Sequence, residues 1–175
     1  MASFRTIDRA TGQSGRRLVL RKFLDFVIYN LATGLGTGLA PVASGTFGSL
    51  WGLLLVYILH RFQPSAGFYL LVVVVGFAVA VYVSGWVAEA EDQKDPSIVV
   101  ADEIIGQMVV FLFIPPAAVS LSILIAGFLL FRIFDIWKPW PIRRLEALPG
   151  GFGIVLDDML AGVYANIILQ IWLRY

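Results

Sequence analysis

The sequence predicts an all-α membrane protein, a polytopic helix bundle of about four to five membrane segments, some of them short or partly inserted. Three observations carry this expectation. Apolar side chains make up 59% of the 175 residues, and 17 glycines add about a tenth more, against about 45–50% on the same definition in soluble domains. Charged residues stop at 14%, where a soluble domain carries about a quarter. A water-soluble globule of this size has too much surface to cover with so few polar groups. An ordinary soluble enzyme, a disordered chain and a nucleic-acid binder are thereby excluded. The net charge of +1 gives no bulk attraction to polyanions.

Residues 1–22 are polar and basic, with Arg5, Arg9, Arg16, Arg17, Arg21 and Lys22. No signal-peptide core with a small-residue cleavage site follows. They read as a cytoplasmic segment ahead of a single membrane-embedded domain, 23–175. Residues 23–31 are amphipathic and too short to cross, so they predict an interfacial or partly inserted helix. A glycine-rich loop, 34–41, ends it. Apolar segments then follow at 47–62, 67–88, 98–114, 121–134 and 154–173. Pro115 and Pro116 stop the third, and the fourth continues backward to Ala117. A full span takes about 20 residues, so several of these predict tilted or mutually buried helices. No fixed-period repeat is present.

Alternation of the five segments puts Arg5, Arg9, Arg16, Arg17, Arg21, Lys22, Lys94, Arg132, Lys138, Arg143 and Arg144 on one face. Only Arg61 and Arg174 lie on the other. This asymmetry makes the first face, with the N-terminus, cytoplasmic. Trp86, Trp137 and Trp140 fall at segment ends, where interfacial indoles belong.

Five acids, Asp102, Glu103, Asp135, Asp157 and Asp158, sit at or inside apolar segments, where charge is expensive. All fall at the cytoplasmic ends of three helices, so the topology lets them converge. Like charges a few ångströms apart suppress one another's ionisation, and a divalent cation resolves the conflict. With no cysteine and one histidine, the ligands are oxygens, which suits one or two Mg²⁺. A plainer reading makes Asp102 and Glu103 first-turn helix residues and Asp135 a shallow interfacial one. Asp157 and Asp158 lie inside the apolar pattern, where capping does not account for them.

After Asp135, Lys138, Arg143 and Arg144 bring three cations beside the acids. They suit a phosphate, or, as a juxtamembrane loop, anionic head groups. The hydroxyls and glycines of the first loop, with Thr46 and Ser49, suit an anion too, although such residues also simply start helices. His60 beside Arg61 reads as an interfacial residue of the opposite face.

The motifs resemble those of the phosphatidylglycerophosphatase A family over about residues 34–168. They are Gly45-Thr46-Phe47-Gly48-Ser49-Leu50, Ile98-Val99-Val100-Ala101-Asp102-Glu103-Ile104-Ile105-Gly106, the run from Phe131 through Asp135-Ile136-Trp137-Lys138-Pro139-Trp140-Pro141-Ile142, and Gly150 to Gly162 around Asp157-Asp158. Two positions depart from the family's habit. Ser44 stands where proline is usual before Gly-Thr, and Ala101 where tryptophan often precedes the Asp-Glu pair. Neither removes a charge, so loop shape is affected more than chemistry.

The resemblance implies Mg²⁺-dependent removal of the terminal phosphate of phosphatidylglycerophosphate, giving phosphatidylglycerol, in a bacterial inner membrane. It implies Asp102, Glu103, Asp135, Asp157 and Asp158 as metal and catalytic acids, with Lys138 and Arg143 on the phosphate. The phospholipid is then the partner. The residues themselves leave no thiol nucleophile, no cytoplasmic-face histidine and no Asp-x-Asp motif. A metal-activated water with a carboxylate base remains, or an aspartate nucleophile. The rival classes are a cation transporter or channel using the carboxylates, and a phosphatase of a related lipid phosphate.

Overall fold

The computed structural model describes the backbone of residues 4–174 and the side-chain surroundings of residues 18–174. The side chains of Arg5, Arg9, Arg16 and Arg17 lie outside the described residues. Among the described residues there are seven α-helices and no strand. These are α1 (Phe4–Ala32), α2 (Ser44–Arg61), α3 (Ala66–Ala90), α4 (Ala101–Val109), α5 (Leu121–Trp137), α6 (Ile142–Leu145) and α7 (Gly151–Arg174).

The first helix departs from expectation. It runs back to Phe4, so the basic segment and the interfacial helix are one element. Arginine and lysine are good helix formers and no proline interrupts them, so the change in polarity near residue 22 does not end the helix.

α3 and α7, with 25 and 24 residues, are long and apolar enough to cross a membrane. α2 and α5, with 18 and 17 residues, extend about 26 Å, short of the ~30 Å hydrocarbon core. Their outward faces are nevertheless apolar. Leu50, Leu54 and Ile58 are exposed on α2, and Leu121, Ile125, Leu129 and Ile133 form an exposed row on α5. Such rows on helices whose other faces are buried call for a lipid surround. The chain is therefore membrane-associated.

α4 is the hub. It has only nine residues, yet α2, α3, α5 and α7 all pack on it, and every residue except Glu103 is buried. The apolar run continues to Ile114, but the helix stops at Val109 and the chain turns through Phe113 at φ 62°. Backbone carbonyls freed at such depth are costly unless the protein bonds them. The Tyr69 hydroxyl donates to the Met108 carbonyl at 2.9 Å. The Asn166 amide donates to the carbonyls of Val110 and Leu112 at 2.7 and 2.9 Å. At the other end, the Val100 amide donates to the Ala32 carbonyl at 2.9 Å, tying the start of α4 to the end of α1.

Glycines let the surrounding helices close on α4. A Cβ on Gly52 of α2 would stand 2.6 Å from the Ile104 carbonyl oxygen. One on Gly106 would stand 2.7 Å from the Phe131 ring and 2.8 Å from the Asp158 carbonyl, and one on Gly162 would strike the Gly106 carbonyl. Small residues at these crossings allow near-backbone contact, the packing that holds helices together in lipid.

His60, in the last turn of α2, is covered by the protein, at 6% exposure. Its Nδ1 lies 2.9 Å from the Val56 carbonyl oxygen, and its ring meets Tyr69 edge-on at 5.1 Å between centroids. The last turn of α2 is covered by the first turn of α3.

Gly162→Val is expected to force α7 off α4 at a cost of about 1–3 kcal/mol, seen as a lower unfolding midpoint in detergent and lost activity. Gly67→Ala, in the first turn of α3 with open space around the added methyl, is expected to leave both intact.

Candidate active site

The acids gather around the start of α4. Asp102 and Glu103 occupy its first turn, where the helix dipole favours them. Asp157 and Asp158 lie about two turns into α7. One oxygen each from Asp102, Glu103 and Asp158 lie within 4.8 Å of one another. Asp135 does not follow its helix but sits in the last turn of α5, facing both Glu103 and Asp158. Adjacent helical residues point about 100° apart, so Asp158 faces α4 while Asp157 turns toward the loop after α5.

An acid in the last turn of a helix opposes the dipole. Arg132, one turn earlier, offsets this by an ion pair to Asp135. Its guanidinium also reaches the Ser49 hydroxyl at 3.4 Å. Ser49 is fully buried and donates to the Gly45 carbonyl at 2.8 Å, so it braces Arg132 and is not open to solvent. Gly45 lies against Glu103: a Cβ there would displace the carboxylate from its present position at Oε1. Thr46 is half-buried in the same turn.

Lys138 caps α5 in the left-handed region at φ 47°. Its ammonium donates to Asp157 Oδ2 and to Glu146 Oε1, both at 2.7 Å. Partial burial alone would lower its pKa, but the bonds to Asp157 and Glu146 outweigh that and hold it above the ordinary lysine range. Arg143 and Arg144 are exposed and are not brought to the acids. They border a separate cleft of about 430 Å³ that also contains Lys138.

Four carboxylate oxygens, Asp102 Oδ1, Glu103 Oε2, Asp157 Oδ1 and Asp158 Oδ2, are buried without a hydrogen-bond partner. Buried polar atoms are rarely left so. An all-oxygen set with free lone pairs converging from two helices fits a hard divalent cation such as Mg²⁺. Arg132, Glu146 and Gly45 also build the site. The Arg132-x-x-Asp135 spacing of a helical ion pair was available as a signal. Glu146 offered none, because it reaches Lys138 across a loop. Gly45 stood in a quoted motif, but only the structure shows that its missing side chain makes room for Glu103.

The fold and site define a class: a membrane-associated helical enzyme with carboxylates and cations at one end of the bundle. Residues 30–173 match the model of the phosphatidylglycerophosphatase A family. The chain belongs to that family of phosphatases. It is 39% identical over 140 residues to phosphatidylglycerophosphatase A of Escherichia coli K12, covering 79% of each chain. It is 38% identical over 150 residues to the Haemophilus influenzae protein of the same name, covering 83% of this chain and 90% of that one. A Bacteroides thetaiotaomicron protein named "Putative phosphatidylinositol-3-phosphatase" is 37% identical over 145 residues, covering 81% and 90%. No solved structure matches the chain.

Lys138→Met leaves Asp157 buried without its cation and is expected to cost on the order of 3 kcal/mol. Adding Asp157→Asn is expected to restore much of the unfolding midpoint without restoring activity, as a double-mutant cycle in detergent would show.

Proposed function

We propose that this chain hydrolyses the terminal phosphate of phosphatidylglycerophosphate to give phosphatidylglycerol, in a Mg²⁺-dependent reaction. It does so at the cytoplasmic face of a bacterial inner membrane that it crosses several times. The observation that carries the reading is the convergence of Asp102, Glu103 and Asp158, with unpartnered oxygens, in a chain of this phosphatase family.

Asp102, Glu103 and Asp158 would hold the metal, with Asp135 beside them. When bound, Mg²⁺ neutralises charge on the phosphoryl group and lowers the pKa of a bound water. Asp157 is oriented by Lys138 through Oδ2, leaving Oδ1 to accept the proton of the attacking water. The new phosphorus–oxygen bond forms to that water and the bond to the glycerol oxygen breaks. The glycerol oxygen takes a proton from solvent water and leaves as the alcohol, phosphate is released, and Asp157 returns its proton to solvent. Arg132 keeps Asp135 in place and adds positive charge beside Glu103.

His60 takes no part. It lies fifteen residues along α2 from Gly45, the residue that touches Glu103, which is about 22 Å of helix. The transporter reading draws no support from a family of phosphatases. The Bacteroides relative's name points to another phospholipid monoester, so the head group beyond the monoester is the part of the reading to test first.

Purified protein in micelles is expected to release phosphate from phosphatidylglycerophosphate only with Mg²⁺. Asp102→Asn and Asp158→Asn should each lower the rate by on the order of 100-fold or more. Full activity in both variants would remove the site assignment. Hydrolysis of phosphatidylinositol 3-phosphate alone would remove the substrate assignment.

A further inference from the structure

The proposed substrate carries two phosphates: a terminal monoester and a phosphodiester joining its glycerol to the lipid. The acid cluster accounts for the monoester. Its two nearby cations are already committed, Arg132 to Asp135 and Lys138 to Asp157 and Glu146. Arg132 is held through Nη1 by Asp135 and Ser49, and Lys138 spans two carboxylates, so the charge of both is largely matched by acids of the cluster.

Uncommitted positive charge lies next door. The cleft of about 430 Å³ is lined by Trp137, Lys138, Trp140, Arg143 and Arg144, among others. Among the described residues no acid pairs with Arg143 or Arg144. The Arg144 guanidinium lies over the Trp140 ring at 5.7 Å, which holds it in place while its donors remain open. Trp137 and Trp140 are 65% and 73% exposed at the end of α5, the depth at which indoles meet phospholipid head groups. The cleft also adjoins the acid cluster. Lys138 forms part of its wall while its ammonium bonds Asp157.

On the reading given under Proposed function, we infer that the Trp137–Arg144 cleft is a phosphodiester subsite. It holds the diester of the lipid substrate while the monoester lies among the acids. Arg143 and Arg144 then act in binding and selection, and take no part in bond cleavage. They favour a head group bearing both phosphates over a lipid with a monoester alone.

The test compares wild-type protein with Arg143→Gln/Arg144→Gln in neutral detergent micelles. The substrates are phosphatidylglycerophosphate and phosphatidic acid with the same acyl chains. Loss of charged hydrogen bonds to a phosphate should raise KM for phosphatidylglycerophosphate about 10-fold, with kcat changed less than about 2-fold. The ratio of kcat/KM between the two lipids should fall by a similar factor. If the wild type does not turn over phosphatidic acid, the split between KM and kcat decides alone. An unchanged KM, or equal losses on both lipids, overturns the inference. So does a loss that appears only when phosphatidylglycerol is added to the micelles, because the cleft would then hold a neighbouring lipid's diester. A wild type inert on phosphatidylglycerophosphate removes the parent reading and this one with it, whereas an active wild type with an unaffected double variant removes only this one.

Discussion

Five carboxylates held together at one end of an apolar bundle are a standing electrostatic conflict, and the surrounding structure is arranged around it. Among the described residues, Asp102, Glu103, Asp135, Asp157 and Asp158 are matched inside the cluster by two cations, Arg132 and Lys138. Arg132 pairs with Asp135 at the edge, and Lys138 pairs with Asp157 and with Glu146 outside the five. The central three, Asp102, Glu103 and Asp158, bring one oxygen each within 4.8 Å of the others, and each carries a buried oxygen with no hydrogen-bond partner. Packing alone does not favour such an arrangement, because desolvated like charges repel strongly in a low-dielectric interior. A divalent cation converts the same geometry from a cost into a binding site.

The helices serve this point of convergence. A short α4 places its first turn, with Asp102 and Glu103, inside the bundle end and not beyond it. Tyr69 and Asn166 make the shortness tolerable by bonding the carbonyls at and after its last turn. Gly45, Gly106 and Gly162 let α2, α5 and α7 approach closely enough for acids on separate helices to meet. Outside this core the side chains face outward as apolar rows, so the surrounding lipid, and not water, completes the fold.

Much of this was legible in the residues. The helical, apolar character follows from composition, and counting helix ends brings acids of different helices to one end of the bundle, where Asp102, Glu103 and Asp158 meet while Asp157 turns to Lys138. What stayed hidden depends on partners far away in sequence. Residues 98–114 stay apolar past Val109, and the helix ends there because side chains 39 and 56 positions away supply donors. Lys138 was expected on a phosphate, but Glu146, across a proline-stiffened loop, joins Asp157 in holding it. Four-residue α6 leaves Arg143 and Arg144 exposed on the cleft whose wall Lys138 shares, so they stand beside the acids and not among them. That His60 is covered by the protein also depends on the turn into α3, which sets it against Tyr69.

The central claim is that the free oxygens of Asp102, Glu103 and Asp158 form a divalent-cation site. Titrating the purified protein with Mn²⁺ and following free ion by its paramagnetic resonance signal tests this without reference to any substrate. Saturable binding that Mg²⁺ displaces, and that is lost in an Asp102→Asn/Glu103→Gln/Asp158→Asn variant of unchanged helicity, is the predicted result. Equal Mn²⁺ binding by the two proteins, or none by the wild type, would contradict it.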